Sequence, residues 1–323
     1  MGGLLVIGTG EGVLVAQREG DTWKAVRRSL SARQVNSLSV QGGAVLAGTT
    51  EGVFRSDDLA ESWHLASDGL SVPKIRWVAH HPNRSGTVLA GTEPAAIFVS
   101  HDGGRRWREC PEVAALRDEH GWYLPYSPEA GCVRGFAFHG DRVYAAVEQG
   151  GLLRSEDAGE TWQLVAGSNG IPRTPPDGFV HPDVHSVVVH ASSPDLVLAP
   201  TGGGLYVSKD GGARWRHLYR CYCRAVWWDP ADAARMILGP ADSVDRSGRI
   251  EKTRDGGETW QQATDGLEVP WAQHMVERFL QVDYELLAVL SNGDLAIAPL
   301  RTLTWRHILP EAGWVRTVKT MSR

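Results

Sequence analysis

Short apolar runs separated by polar or glycine-containing turns recur along the whole chain. Val35 to Val40, Ala44 to Thr49 and Val53 to Ser56 form one such series, and a fourth run begins at Trp63. Each carries β-branched or aromatic residues, is only long enough for a short strand, and is bounded by Gly or polar residues, the pattern of antiparallel hairpins. Helical spacing is almost absent, and no apolar stretch approaches the ~18–20 residues of a membrane span. The pattern predicts an all-β protein assembled from four-stranded units.

The units repeat. Five segments share the form Ser/Thr-x-Asp-x-Gly-x-Thr-Trp, including Ser100-His-Asp-Gly-Gly-Arg-Arg-Trp107, Ser155-Glu-Asp-Ala-Gly-Glu-Thr-Trp162 and Thr253-Arg-Asp-Gly-Gly-Glu-Thr-Trp260. Ser208 to Trp215 is a fourth, and Ser56 to Trp63 is a fifth with Ala60 in the Gly position. Two degenerate copies end at Trp23 and Trp305, so the seven tryptophans stand 40, 44, 55, 53, 45 and 45 residues apart. A period of about 40–50 residues fits the four strands of a propeller blade. The motif suits a hairpin turn: Asp accepts from turn N–H groups, Gly supplies a left-handed backbone, and Trp opens the next strand.

These segments resemble the Asp-box, or bacterial neuraminidase, repeats found in sialidases, sortilin-type receptors, xyloglucanases and photosystem II assembly factor-like proteins. The resemblance spans essentially the whole chain and implies a β-propeller. It is nearly silent on function, because in that family the Asp-box turn lies on the blade periphery.

Seven units predict a seven-bladed propeller over residues 1–323, as one domain. The N-terminus starts at the second strand of a blade, since Leu4-Leu-Val-Ile-Gly8 aligns with Val45-Leu-Ala-Gly48. Trp314-Val-Arg-Thr-Val-Lys319 supplies the missing innermost strand, so the C-terminal strand should close the N-terminal blade and remove free sheet edges.

Composition narrows the functional classes. Apolar and charged contents of 42% and 22% are ordinary, and a net charge of −5 gives no footprint for nucleic acid or an anionic membrane. Four cysteines and no basic apolar leader lead to the expectation of a cytoplasmic protein. Cys221-x-Cys223 reads as packing on a strand, Thr201 to Gly204 as a hairpin turn, and His80, His139 and His190 as turn residues on the opposite face.

Candidate chemistry lies where the innermost strands begin. One column across the blades reads Asn36, Arg76, Arg134, His185, Arg224, Glu277 and Arg316, with the register of Glu277 the least secure. Converging guanidiniums need carboxylates or an anionic ligand to offset them. Glu93, Glu148 and Asp242, at the ends of the second strands, could face them. Two connections are long, roughly Arg108 to Gly131 and Gln163 to Asp183, and long loops in compact folds commonly bind ligands. The first carries Arg117, Asp118, Glu119, His120, Trp122, Tyr123, Tyr126 and Glu129, and the second ends His181-Pro-Asp-Val-His185.

Three chemistries follow. Glycoside hydrolysis needs two carboxyl groups, for which Glu148 with Asp183 or Glu93 is a conceivable pair. Likeness to sialidases would imply an arginine triad (Arg76, Arg134, Arg224) and a tyrosine–glutamate pair (Tyr123, Glu148), although the Arg-Ile-Pro-type signature of that family is missing. No cofactor is expected, but His181, Asp183 and His185 alternate along an extended segment and could hold a divalent metal. The expectation is a ligand-binding propeller, hydrolase- or lyase-like if catalytic, taking a small anionic or sugar-like molecule at its channel mouth. Catalysis would fall to Glu148, Asp183, His185 and Tyr123, and binding to Arg76, Arg134, Arg224, Arg316, Glu93, His120 and Trp122. The alternative is an assembly scaffold, similar to the photosystem II factors, that presents its arginines to an acidic protein segment.

Overall fold

In the computed structural model, residues 3–124, 131–168, 170 and 175–321 are described. Seven four-stranded antiparallel sheets stand in a ring, a seven-bladed β-propeller. The second blade runs Val35–Gln41, Ala44–Thr49, Gly52–Ser56 and His64–Leu65, within a residue or two of the sequence reading. Strands are lettered A to D from the channel outward. Strand Val315–Met321 pairs antiparallel with Leu4–Thr9 and becomes strand A of the first blade. The two ends of the chain therefore share one sheet.

The repeated turns form as their chemistry dictates. Ser100 Oγ donates to Asp102 Oδ1 (2.8 Å) and accepts the Gly104 N–H (2.9 Å), while Asp102 accepts the N–H groups of Arg105 and Arg106 (2.9 Å each). Gly104 has φ +86°, and Ala60 holds the equivalent place at φ +66°. Each Trp then lies against the preceding blade. Trp107 packs with Leu46 and Val53, Trp162 with Leu89 and Ile97, and Trp305 with Ile237 and Ile250. The core is thus a series of apolar seams between blades. Burying an aromatic at every seam is why the repeat keeps its Trp.

A second recurring device lies nearer the axis. Gly48 and Gly91, on strand B, face Ile75 and Val133 of the next blade's strand A; a Cβ at Gly91 would lie 2.4 Å from Val133 Cγ1. Only glycine lets the blades approach this closely.

One element departs from the sequence reading. The first long connection contains an α-helix, Pro111–His120, with Pro at its first turn and left-handed Gly121 (φ +62°) at its end. Val113 is its buried residue, so the apolar stripe that would betray a helix is too thin to read. Among the described residues no helix is long and apolar enough to cross a membrane.

Candidate functional site

Strand A is irregular at the same place in nearly every blade. The register shifts between Val35 and Ser37, Ile75 and Trp77, Val133 and Gly135, Cys223 and Val226, and Val276 and Arg278. The closing strand shifts between Val315 and Thr317. The residues left out of the ladder each time include a member of the column, namely Asn36, Arg76, Arg134, Arg224 (together with Ala225), Glu277 or Arg316. A bulge bends the strand and re-aims one side chain. Six bulges in a ring aim six side chains at one axial cavity of about 380 Å³, which all six line.

The cavity wall carries Arg76, Arg134, Arg224, Arg278 and Arg316 against Glu148, Asp245 and Glu277. Arg134 donates to Glu148 Oε2 at 2.8 Å and approaches Glu277 at 3.8 Å. Arg224 bonds Glu277 and lies 3.7 Å from Asp245. Arg76 pairs with buried Glu93 (3.2 Å), which also receives Lys74 (2.6 Å). Arg278 and Arg316 make no ion pair among the described residues; Arg278 instead stacks on Trp77, 4.2 Å from the ring centroid. Burial and the neighbouring guanidinium of Arg134 push the pKa of Arg278 down to about 9. Burial and Arg76 likewise lower that of Arg316. For Glu277 burial pulls the pKa upward, but Arg224, Arg134 and Arg278 outweigh it and hold the carboxyl below its ordinary value.

Beside this cavity, Glu148, Asp183 and His185 bring one donor atom each within 4.8 Å of one another. His185 Nε2 lies 3.4 Å from Asp183 Oδ2, and the His185 side chain is only 1% exposed. Burial, reinforced by the Glu148 carboxylate, raises the Asp183 pKa to about 7. Burial, with Arg134, drives His185 well below the ordinary imidazole value. Tyr222 stands between His185, at 5.0 Å between ring centroids, and Arg224, and burial pushes its pKa up to about 12.

Several expected site residues fall elsewhere. Trp122 is not at the mouth: it is 2% exposed, in the apolar seam with Val113 and Val147. Tyr123 is 53% exposed and does not line the cavity, so the tyrosine–glutamate pair is not assembled. His120 lies against Gly170 and does not line the cavity. His181 accepts the Asp183 N–H on Nδ1 (3.2 Å) and faces Gly203, so it belongs to a turn and not to the three-donor cluster. Asp242 pairs with Arg249 at 3.1 Å instead of an inner arginine. Tyr126 and Glu129 lie outside the described residues. Arg278, Tyr222 and Asp245 were not foreseen. The available signal was sequence adjacency: Arg278 follows Glu277, and Tyr222 precedes Arg224 by two positions.

No family model matches. Over 162 residues the chain is 26% identical to the oligoxyloglucan-reducing end-specific xyloglucanase of Emericella nidulans, a match covering 46% of this chain and 18% of that protein. Among solved structures, an ancestral GH74 enzyme superimposes with a TM-score of 0.64 at 18% identity, over 90% of this chain and 38% of that one. YCF48 bound to D1 peptide superimposes with a TM-score of 0.61 at 16% identity, over 95% and 88% of the two chains. The chain therefore spans well under half of these two enzymes and most of YCF48. At these structural identities the likeness carries the propeller fold, while its relatives include both a carbohydrate-active enzyme and a peptide-bound protein.

Proposed function

We propose that this propeller binds a carboxylate-bearing small molecule, such as an organic acid or an acidic sugar, in the arginine-lined mouth of its channel. The observation that carries the reading is the excess of guanidinium over carboxylate around one cavity. Five arginines face three acidic residues there, and even with Glu93 counted the wall remains positive. Like charges held this close in a partly desolvated space repel unless an anion joins them. Planar guanidiniums also suit two-point recognition of a carboxylate.

Glycoside hydrolysis is supported less well. Neither partner considered for Glu148 lines the cavity: Asp183 has its Oδ1 sealed from solvent, and Glu93 is 2% exposed. A second reading, docking of an acidic protein segment, is favoured by the rim: Trp314 and Val244 are 62% and 51% exposed beside the arginines. The peptide-bound YCF48 structure supports the same reading. On either reading we infer that the repeated turns are Asp-boxes serving as scaffold, and that the protein is cytoplasmic.

The test is a thermal-shift and calorimetric screen of dicarboxylates, uronic acids, sialic acid and neutral sugars, with the wild type beside Arg316→Ala. A ligand at ~100 times its Kd stabilises the fold by about 2.7 kcal/mol. Stabilisation by a carboxylate class that the variant loses supports the small-molecule reading. Silence toward every small acid, together with binding of acidic peptides, would transfer the site to a protein partner.

A further inference from the structure

We propose that Glu148, Asp183 and His185 form a binding site for a first-row divalent transition-metal ion in the wall of the channel mouth, between the fourth and fifth blades. Glu148 ends strand B of the fourth blade (Arg142–Glu148). Asp183 and His185 flank Val184, which bridges to Thr201 of the fifth blade. In an extended segment, residues two apart point the same way, which places the carboxylate and the imidazole on one side, toward Glu148.

The cluster carries unspent bonding capacity. Asp183 Oδ1 and both ring nitrogens of His185 are buried without a hydrogen-bond partner. Buried polar groups are nearly always satisfied, and an imidazole with two orphaned nitrogens, 1% exposed and 3.4 Å from a carboxylate oxygen, is a conspicuous exception. A metal ion would take one of the two ring nitrogens as a ligand. The donor atoms lie within 4.8 Å of one another, and metal–ligand bonds of about 2.0–2.2 Å require donors up to about 4.4 Å apart. Side-chain adjustments of a few tenths of an ångström would close the site.

One imidazole and two carboxylates form a mixed nitrogen–oxygen set. That set suits zinc or manganese better than calcium or magnesium, which favour all-oxygen shells. The outer shell is also built. Arg134 and the Cys132 thiol both donate to Glu148 Oε2, at 2.8 and 3.4 Å, and orient it. The Gly202 N–H donates to the Asp183 carbonyl at 2.9 Å. A Cβ at Gly202 would lie 2.2 Å from Asp183 Oδ2, so a glycine is needed where that carboxylate turns inward. Arg134 and Arg224 oppose a cation, but Glu277 offsets both. The inference shares Glu148 with the arginine-lined cavity, whereas Asp183 and His185 take no part in its wall, so variants of those two test the metal without touching the anion reading.

The test uses the full chain, stripped with chelator and titrated with zinc, manganese, calcium and magnesium by calorimetry and metal analysis. Cobalt substitution, read by its visible absorption, reports nitrogen–oxygen coordination directly. The expected result is one equivalent of zinc or manganese bound, with affinity lowered at least about 100-fold in Asp183→Asn and in His185→Gln, since losing a ligand costs no less than losing an outer-shell partner. His181→Ala, which removes the neighbouring imidazole outside the cluster, should bind as the wild type does. Circular dichroism separates lost ligation from lost folding; if the His185 variant unfolds, Asp183→Asn alone decides. Absence of stoichiometric binding in the wild type, or equal binding by Asp183→Asn, overturns the proposal.

Discussion

Glu277 is the carboxylate that holds the arginine cluster together, and Glu277→Gln removes its charge while keeping its shape. The side chain is 21% exposed, bonds Arg224 and lies 3.8 Å from Arg134. At an effective dielectric constant of about 20, one such contact carries a bare attraction of about 4 kcal/mol. Much of that was already spent on desolvating the ions, so the useful figure is the cost of orphaning a buried partner, about 3–5 kcal/mol. Partial exposure argues for the lower end. In a chain of this size each kcal/mol moves Tm by roughly 2 °C, so the variant should melt about 6 °C below the wild type near neutral pH. The sign with pH follows from the pKa. The carboxyl is held below its ordinary value, so its contribution is full above about pH 4.3, the unfolded value, and is lost as pH falls further. The gap between wild type and variant should therefore close below about pH 4. Millimolar sulfate or citrate, able to replace the missing carboxylate, should raise the variant's Tm more than the wild type's. Differential scanning fluorimetry across pH and anion concentration reads all three effects. A variant melting within about 1 °C of the wild type, or a gap that persists unchanged at low pH, would refute the assigned charge balance.

Two further expectations concern the frame. Gly91→Ala would set a Cβ 2.4 Å from Val133 Cγ1 across the seam between the third and fourth blades, an overpacking that costs about 1–3 kcal/mol; denaturant unfolding should show Val133→Ala partly rescuing it, and additive losses in the double variant would dismiss the contact. His80, whose Nδ1 meets Ser39 Oγ at 2.8 Å, has its pKa lowered from 6.5 to about 4 by burial and then by Arg55. Unfolding lets it take up a proton, so stability is full above pH 6.5 and falls by up to about 3 kcal/mol toward pH 4. His80→Gln should flatten that part of the Tm–pH curve, and an unaltered curve would count against a neutral buried ring.

The blade count, the strand order within a blade and the pairing of the last strand with the first were all legible in the sequence. Each follows from local rules: a period of two along the strands, turn residues at fixed offsets, and a Trp once per repeat. The inner column was legible for the same reason. The bulge recurs at one offset, so aligning Arg76, Arg134, Arg224 and Arg316 by context also aligned them in space, and even Glu277 fell in register. What the tertiary structure decided is which side chains meet across blades. Trp122 looked available on a long connection, yet the helix before it turns the ring into the apolar seam beside Val147. Arg278 lies outside the inner column, yet beside the bulge at Glu277 it joins the cavity wall and stacks over Trp77. Glu148 and His185 are 37 positions apart in the numbering, and only the angle between the fourth and fifth blades brings them together with Asp183. Repeat periodicity dictates each blade and its bulge; the distances that make chemistry arise between blades, where ring closure and seam packing set them.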